Sequence, residues 1–210
     1  GFDAALAKMN YIATDCGAAA VVTERSYFWS LKVNQARSRI ASFSLRKNRL
    51  AKMHWVVSDD AQKNTSTHLA EGHSDILFLQ YTSGSTNHPK GVMVSHDNLL
   101  SNCSALDYQP VGVSWLPQYH DLGLIGFYLF FALKGGTTYG FSPLDFIERP
   151  ALWLETIAKV QATASAAPNF AFEYCLRPDK MAPENLAGLD LSSLRFLMTA
   201  AEPVRPHIYR

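Results

Sequence analysis

The sequence has little net charge, few cysteines and no long apolar run, and each shortage excludes a class of protein. Its 19 basic residues face 18 acidic ones, so no overall field indicates a nucleic-acid or membrane-surface partner. Cys16, Cys103 and Cys175 lie far apart without a CxxC pair, which argues against a disulfide framework or zinc site and favours a reducing compartment. The longest apolar run, residues 122–133, is too short to span a bilayer, and the first residues lack the basic-then-apolar pattern of a signal segment. We therefore expect a cytoplasmic protein without a membrane span.

Length and composition predict a globular chain with a sizeable core. Of its 210 residues, 48% are hydrophobic and 18% are charged, which excludes the disordered and low-complexity classes. A chain of this length can bury a core without disulfides and forms one domain or at most two small ones. Because the chain begins at Gly1 and residues 203–210 resemble an interrupted helix, we expect an internal part of a longer protein.

The balanced total charge hides one strongly basic stretch. Between Glu24 and His54 there are eight basic residues and one acidic residue, a local charge of +7, whereas the remaining residues sum to −6. The simpler interpretation is a solvated helical face that is rich in lysine and arginine. The alternative is a docking surface for an acidic partner, such as a carrier protein or a nucleotide.

Strand-like and helix-like segments alternate along the chain. Apolar residues at helical spacing precede Gly17, a natural helix end. Predicted strands cover residues 18–23, 53–58, 76–81, 91–95, 111–116, 137–141, 162–166 and 194–199. Predicted helices cover residues 30–40, 96–106, 122–133, 150–160 and 169–176. Strands separated by helices imply βαβ units, so we predict an α/β fold with mostly parallel sheets flanked by helices.

The segment YTSGSTNHPKG, residues 81–91, carries the clearest chemical signal. It follows an apolar strand and places five small or hydroxylated residues in a row: Thr82, Ser83, Gly84, Ser85 and Thr86. Backbone N–H groups and hydroxyls in such a loop can surround one anion, and Lys90 adds a point charge, as triphosphate binding requires. The pattern is not a Walker loop, because Pro89 precedes the lysine and Gly91 follows it. A plain Ser/Gly-rich turn is the weaker alternative, since it leaves the Pro-Lys-Gly sequence unexplained.

Four segments in order resemble the adenylate-forming superfamily of acyl-CoA ligases, peptide-synthetase adenylation domains and luciferases. Residues 81–96 (YTSGSTNHPKGVMVSH) resemble its phosphate-binding signature. Residues 114–126 (SWLPQYHDLGLIG) resemble its second core motif, in the wording most typical of fatty acyl-AMP ligases. Residues 167–173 (APNFAFE) and 201–205 (AEPVR) resemble two further motifs of that subfamily. The resemblance runs over the whole chain.

The resemblance implies activation of a fatty acid in two steps. A carboxylate oxygen of the fatty acid attacks the α-phosphorus of ATP, and acyl-adenylate and pyrophosphate form. The acyl group then passes to the phosphopantetheine thiol of an acyl carrier protein. The implied cofactors are ATP and Mg²⁺, and catalysis of this kind rests on positioning and on neutralising phosphate charge.

Individual roles follow from the same resemblance. The row Thr82–Thr86 would surround the β- and γ-phosphates, with Thr86 beside Mg²⁺. Lys90 would steady this loop or the leaving pyrophosphate. The turn that would flank adenine is formed by Ala200, Ala201, Glu202 and Pro203.

His120 is the candidate catalytic residue. On sequence alone it is also explained as a structural histidine that hydrogen-bonds Asp121 or the backbone. By resemblance it lies where the acyl tunnel meets the ATP site, and its imidazole can hydrogen-bond the substrate carboxylate. It is not needed as a general base, because a carboxylate is already ionised at neutral pH. The other predicted substrate contacts are Trp115, Asp121, Leu124, Asn169 and Phe170, of which Trp115 and Leu124 also fit a plain core role.

The sequence departs from the family pattern in several places. Asn87 stands where glycine or arginine is usual. Ala200 stands where glycine is common, and it predicts a tighter adenine site. Residues 103–111 are shorter than the corresponding family segment. The early strands, the glutamate for Mg²⁺, the aspartate for ribose and the lid domain with its adenylation lysine do not occur. We therefore interpret residues 1–210 as a single, incomplete N-terminal adenylation domain that is inactive alone.

Two alternatives stay open. The parent protein is a long-chain acyl-CoA ligase if coenzyme A accepts the acyl group, since the carrier-protein assignment rests on motif wording. A non-catalytic ligase-like module that binds lipid or nucleotide is the other alternative, and the departures at Asn87, Ala200 and residues 103–111 favour it. The hydroxyls and the lysine of the phosphate segment argue against such a module.

Overall fold

The structure, a computed structural model, describes residues 2–41, 49–60, 75–82, 88–104, 109–182, 184 and 186–204. It divides into an amino-terminal unit, Gly1–Ser95, and a carboxy-terminal unit, His96–Arg210. Of the helices in those ranges, none combines the length and hydrophobicity that crossing a membrane requires.

The amino-terminal unit pairs its described strands in two separate ways. Its elements are α1 (Phe2–Asp15), β1 (Ala20–Thr23), α2 (Arg25–Ala41), a 3-10 turn (Arg49–Lys52), β2 (His54–Val57), a second 3-10 turn (Ser58–Asp60), β3 (Ile76–Thr82) and β4 (Lys90–Ser95). Strands β1 and β2 pair in parallel, and β3 and β4 form an antiparallel hairpin. Gly17 follows α1 with φ of +63°, a left-handed conformation that suits glycine at a helix end.

The carboxy-terminal unit is built on one parallel sheet. Its elements are α3 (His96–Cys103), β5 (Val111–Ser114), α4 (Asp121–Gly123), a π-helical segment (Leu124–Leu129), α5 (Phe130–Leu133), β6 (Thr137–Gly140), α6 (Pro143–Glu148), α7 (Ala151–Val160), β7 (Ala164–Ala167), α8 (Asn169–Cys175) and β8 (Phe196–Thr199). The strands are ordered β6-β5-β7-β8, and every pairing is parallel. The carboxyl ends of parallel strands share one edge, so the segments that follow β5, β7 and β8 meet there.

Aromatic side chains fill the core beside this sheet. Trp115 stacks on Phe146 with ring centroids 4.1 Å apart, and both rings contact Trp153 edge-on. The Trp153 indole N–H donates to Ser165 Oγ at 2.9 Å, and that hydroxyl donates to Val113 O at 2.7 Å. A buried polar side chain is thus satisfied across β5 and β7, which fixes the sheet against helix α7.

The α/β class with mostly parallel sheets flanked by helices is confirmed. All eight predicted strands occur, with ends displaced by up to two residues. Four differences concern helices. Helix α3 ends at Cys103, before the predicted end at residue 106. Helix α2 begins at Arg25, before the predicted start at residue 30, and helix α6 was not predicted. The predicted helix 122–133 is continuous in the structure but begins at Asp121 and contains a π-helical turn.

The apolar run at residues 18–23 predicts a buried strand, and this prediction is wrong. Strand β1 alternates exposed and half-buried residues, and Val22 has 70% of its surface exposed. Only one strand, β2, pairs with it among the described residues. The sequence AAAVVT lacks the polar alternation of a half-exposed strand, so its apolar character alone led to the wrong prediction.

Candidate functional site

The carboxy-terminal unit contains a cleft of about 660 Å³, a volume typical of small-molecule sites. It lies where segments from different predicted motifs come together. Its lining residues are Asn102, His120, Asp121, Leu122, Ile125, Gly126, Met198, Ala200 and Ala201. Four of the predicted site residues are therefore brought together here: His120, Asp121, Ala200 and Ala201.

His120 occupies the turn between β5 and α4. Its Nδ1 lies 2.6 Å from Asp121 Oδ1, and the same carboxylate oxygen accepts from Leu122 N at 2.8 Å. The side chains of His120 and Asp121 are 56% and 65% exposed, so a ligand in the cleft can reach them. Nδ1 also accepts a hydrogen bond from Leu122 N at 3.3 Å, so the His120 side chain caps α4. The structural interpretation of His120 and its predicted substrate contact are therefore compatible, because Nε2 has no hydrogen bond among the described residues.

Close backbone packing fixes the position of this turn. His120 N donates to Pro117 O at 3.1 Å, which closes the turn before α4. A Cβ atom at Gly123 would lie 2.2 Å from the same carbonyl oxygen. No side chain fits there unless the backbone moves, so glycine at this position lets α4 pack directly on the segment that carries His120.

The segment that follows β8 contributes Ala200 and Ala201 to the lining of the cleft. Ala200 N donates to Ala167 O at 3.3 Å and so extends the pairing of β8 with β7. Ala201 has φ of +72°, a left-handed conformation that costs an alanine roughly 1–2 kcal/mol. The conformational freedom of glycine is therefore needed more at Ala201 than at Ala200. The tighter adenine site expected from Ala200 stays a prediction.

Glu202 joins this turn to helix α8. Its Oε1 accepts a hydrogen bond from Phe170 N at 3.1 Å, and Asn169 Nδ2 donates to Pro203 O. Pro168 precedes α8 and offers no side-chain cap, so a carboxylate from beyond another strand caps the helix instead. A negative charge is favourable at a helix N-terminus. Glu202, Asn169 and Phe170 thus hold the turn in place rather than line the cleft.

Trp115 lies in the core, not at the cleft. It is 3% exposed, and its ring contacts Phe146, Trp153 and Phe170. Its Nε1 and Asn169 Oδ1 are buried without a hydrogen-bond partner in the described part of the chain. The substrate contacts predicted for Trp115, Asn169 and Phe170 stay predictions, and none of the three is among the residues that line the cleft.

The helical wall of the cleft consists of Leu122, Ile125 and Gly126, whereas Leu124 was predicted. Residues spaced by three and four positions share a helix face, so that spacing in the sequence contained the signal. Asn102 and Met198 were also missed. They come from α3 and β8, and only the tertiary fold brings them to His120.

The predicted phosphate contacts are described only in part. Thr82 and Lys90 are register partners at the end of the β3–β4 hairpin in the amino-terminal unit, and both are exposed. Ser83, Gly84, Ser85 and Thr86 lie outside the described residues, and so does the predicted Mg²⁺ contact of Thr86. Within the described ranges, no three His, Cys, Asp or Glu side chains gather as a metal site would require.

Arg49, in the basic stretch, has a structural role. Arg49 N donates to Asn10 Oδ1 at 2.8 Å, and its guanidinium Nη2 donates to Ala18 O at 3.0 Å. These bonds attach the 3-10 turn at Arg49–Lys52 to α1 and to the residues before β1. Arg46 and Lys47 lie outside the described residues, so a docking surface in this stretch stays a prediction.

Comparison with known proteins agrees with this geometry. Residues 3–210 match the model of a family described as AMP-binding enzyme. The medium-chain-fatty-acid–[acyl-carrier-protein] ligase JamA of Moorena producens is 37% identical over 209 residues, which cover 95% of this chain and 34% of that protein. The ligase of the same description from Teredinibacter turnerae, TtuA, is 41% identical over 137 residues, or 62% of this chain and 21% of that protein.

A solved structure shows the same fold. The fatty acyl-adenylate ligase of L. pneumophila, crystallised with acyl adenylate and pyrophosphate, superposes with a TM-score of 0.75 at 36% identity. The match covers 97% of this chain and 34% of that one. The chain thus spans about a third of the length of JamA and of this ligase.

Proposed function

Because this chain belongs to the AMP-binding enzyme family, we propose that the intact protein activates a fatty acid as its acyl-adenylate. An oxygen of the fatty-acid carboxylate forms a bond to the α-phosphorus of ATP, and the bond from that phosphorus to the bridging oxygen breaks. Pyrophosphate leaves with the electron pair. No proton has to be removed from the nucleophile, since the carboxylate is ionised at neutral pH.

One observation carries the proposal. His120 and Asp121 come from one predicted motif, and Ala200 and Ala201 come from another that lies about 80 positions further along the chain. All four residues nevertheless line one cleft. The parallel sheet explains this convergence, because β5 and β8 both pair next to β7 and end at the same edge. A ligand that contacts both motifs has two different ends, as an acyl-adenylate does.

His120 orients the substrate carboxylate in this proposal. Nδ1 accepts a hydrogen bond from Leu122 N at 3.3 Å, so Nε2 is the ring nitrogen that donates to a carboxylate or phosphate oxygen of the ligand. A charge-assisted bond of this kind is stronger than a neutral one. Asp121, whose Oδ1 lies 2.6 Å from Nδ1, acts as a positioning residue for the ring.

The ATP contacts belong to the same proposal. Thr82, Ser83, Gly84, Ser85, Thr86 and Lys90 bind the β- and γ-phosphates, and the backbone at Ala200, Ala201, Glu202 and Pro203 flanks adenine. Mg²⁺ neutralises phosphate charge when it is bound, and Thr86 would lie beside it. This ion is usually held as much by substrate phosphates as by protein groups, so a cluster of protein ligands is not required.

The acyl acceptor is proposed to be an acyl carrier protein in the cytoplasm. The names of JamA and TtuA describe ligases for medium-chain fatty acids and carrier proteins. We also propose that these 210 residues are inactive alone, as part of one larger adenylation domain. The family's glutamate for Mg²⁺, aspartate for ribose and adenylation lysine are not among them.

Fatty-acid-dependent exchange of pyrophosphate into ATP tests the function in the intact protein. His120→Ala and Lys90→Ala are each expected to lower kcat/KM for adenylation about 10- to 100-fold, the loss of one charge-assisted hydrogen bond. His54→Ala and Lys159→Ala are matched controls, since both residues are exposed and lie outside the proposed site. Unchanged exchange in His120→Ala would remove that residue from the site.

Experiments on the intact protein also distinguish the carrier-protein ligase from the acyl-CoA ligase and from the non-catalytic module. Transfer of the acyl group to a carrier-protein thiol supports the proposal, whereas transfer to coenzyme A selects the acyl-CoA ligase. Calorimetric binding of ATP without any adenylate would select the non-catalytic module.

A further inference from the structure

Helix α1 makes a hydrogen bond to the hairpin that carries Thr82 and Lys90. Tyr81, the residue before Thr82 on β3, donates its phenol hydroxyl to Asp15 Oδ2 at 2.6 Å. Asp15 is the last residue of α1. The two residues are 66 positions apart in the sequence, so this bond is a tertiary contact that fixes one strand of the hairpin to the helix.

The same helix contacts the other side of the hairpin by stacking. The ring of His88, two residues before Lys90, lies on the ring of Tyr11, with centroids 4.8 Å apart and planes 20° from parallel. Tyr11 and Asp15 are four residues apart in α1 and therefore lie on one face of the helix. A single helix face thus contacts Tyr81 on β3 and His88, which lies two residues before β4 begins.

Gly91 makes room for the first of these contacts. It is the register partner of Tyr81 on β4. A Cβ atom at Gly91 would lie 2.9 Å from Tyr81 Cζ and 3.1 Å from its hydroxyl oxygen. The Tyr81 ring therefore lies across Gly91 on its way to Asp15, and a side chain at position 91 would displace it.

We propose that Tyr11 and Asp15 of α1, through His88 and Tyr81, are positioning residues that set the place of Thr82 and Lys90 for binding the phosphates of ATP. The inference rests on the proposed function. It also gives the glycine of the Pro-Lys-Gly sequence a specific purpose, because Gly91 is the residue that admits the Tyr81 ring.

The protonation of Tyr81 agrees with its role as a donor. The hydrogen bond to Asp15 and the negative charge nearby raise the pKa of the Tyr81 phenol well above its usual range. The hydroxyl thus keeps its proton and continues to donate at every pH at which an enzyme of this kind operates.

The first variants for the test are Tyr81→Phe and Tyr27→Phe in the intact protein. Tyr81→Phe deletes only the hydroxyl that binds Asp15. Tyr27→Phe is the matched control, because its hydroxyl also contacts α1, at Met9 Sδ 3.5 Å away, but not the hairpin. We expect Tyr81→Phe to raise the KM for ATP about three- to tenfold, the value of one hydrogen bond. The KM for the fatty acid, kcat and all constants of Tyr27→Phe should stay within about twofold, a change below one such bond.

A second pair of variants tests the stacked contact. His88→Ala removes the ring and should raise the KM for ATP, whereas His88→Phe keeps an aromatic face for Tyr11 and should restore it. His54→Ala, on β2, is the control. Backbone hydrogen exchange of the peptide that contains Tyr81 to Gly91 supplies a readout independent of activity, and we expect faster exchange in Tyr81→Phe and His88→Ala.

The outcomes separate this inference from the proposed function. Wild-type protein without fatty-acid-dependent adenylation would refute the proposed function, and the positioning role with it. Adenylation with an unchanged KM for ATP in Tyr81→Phe and His88→Ala would overturn the positioning role alone, whether or not hydrogen exchange increases. An equal rise in Tyr27→Phe would show general damage to α1 and would overturn it as well.

Discussion

The two units support their candidate binding residues in different ways. His120 and the turn at Ala200–Pro203 follow strands of a four-stranded parallel sheet, in which all four residues of β7 are buried. Thr82 and Lys90 end a two-stranded hairpin, and both are exposed. A site at the edge of a buried sheet is held by many core contacts, whereas the hairpin end depends on a few surface contacts with α1. Substitutions should therefore affect stability in the carboxy-terminal unit and nucleotide affinity in the amino-terminal unit.

The largest expected difference is between two tryptophans. Trp153 is 1% exposed and donates to Ser165, whereas Trp29 in the amino-terminal unit is 60% exposed. Trp153→Ala should lower the free energy of unfolding by about 3–5 kcal/mol, because it opens a cavity in the core. Trp29→Ala should lose less than about 1.5 kcal/mol, the value of one exposed aromatic pair. Urea unfolding of both variants of the intact protein measures the difference, and equal losses would refute the contrast between the units.

A pair of glycines tests the packing that places His120. Gly123→Ala puts a methyl group 2.2 Å from Pro117 O, whereas the same change at Gly126 meets only Leu122 Cδ1, at 3.6 Å. We expect Gly123→Ala to cost about 1–3 kcal/mol of stability, as overpacking does, and to slow adenylation. Gly126→Ala should be close to wild type in unfolding free energy. Full activity of Gly123→Ala would show that this contact does not position His120.

The cap that Glu202 supplies to α8 predicts a smaller effect. Glu202→Ala leaves Phe170 N without its acceptor and should cost about 1 kcal/mol, as the loss of a helix cap does. Glu202→Gln keeps an oxygen in the same place and should retain most of that stability. Thermal unfolding of the two variants checks this, and an equal loss in both would mean that charge rather than the hydrogen bond is responsible.

Ala201 gives the smallest expected change, and it is a gain. Its φ of +72° strains an alanine, so Ala201→Gly should raise the unfolding free energy by up to about 1 kcal/mol. The same substitution at Ala200 is the control, since Ala200 has no left-handed backbone to relieve. Stabilisation of both variants alike would refute the assignment of strain to Ala201.

Local signals in the sequence predicted most of the fold, and some that were present were overlooked. The strand-and-helix alternation predicts the parallel sheet, and Gly17 predicts the end of α1. Helix α6 was overlooked although Ser142, Pro143 and Asp145 form a capping box with proline at its start. The antiparallel pairing of β3 and β4 was also readable, because seven residues are too few for a parallel crossover.

The site was less predictable because its contacts cross the sequence. The motifs identified His120, Asp121, Ala200 and Ala201, but neither motif shows that the other lies beside it. The cap of α8 by Glu202 and the contacts of α1 with Tyr81 and His88 join residues 32 to 77 positions apart and depend on tertiary folding. Hydrophobic periodicity describes one helix or strand at a time and does not predict contacts between different elements.

A crystal structure of the intact protein with a non-hydrolysable acyl-adenylate analogue tests the central claim most directly. We predict adenine against the backbone at Ala200–Ala201 and the acyl-phosphate junction within hydrogen-bond distance of His120 Nε2. The Nδ1 contact with Asp121 should persist. An analogue bound away from the cleft, or bound in it without a contact to His120, would contradict the account.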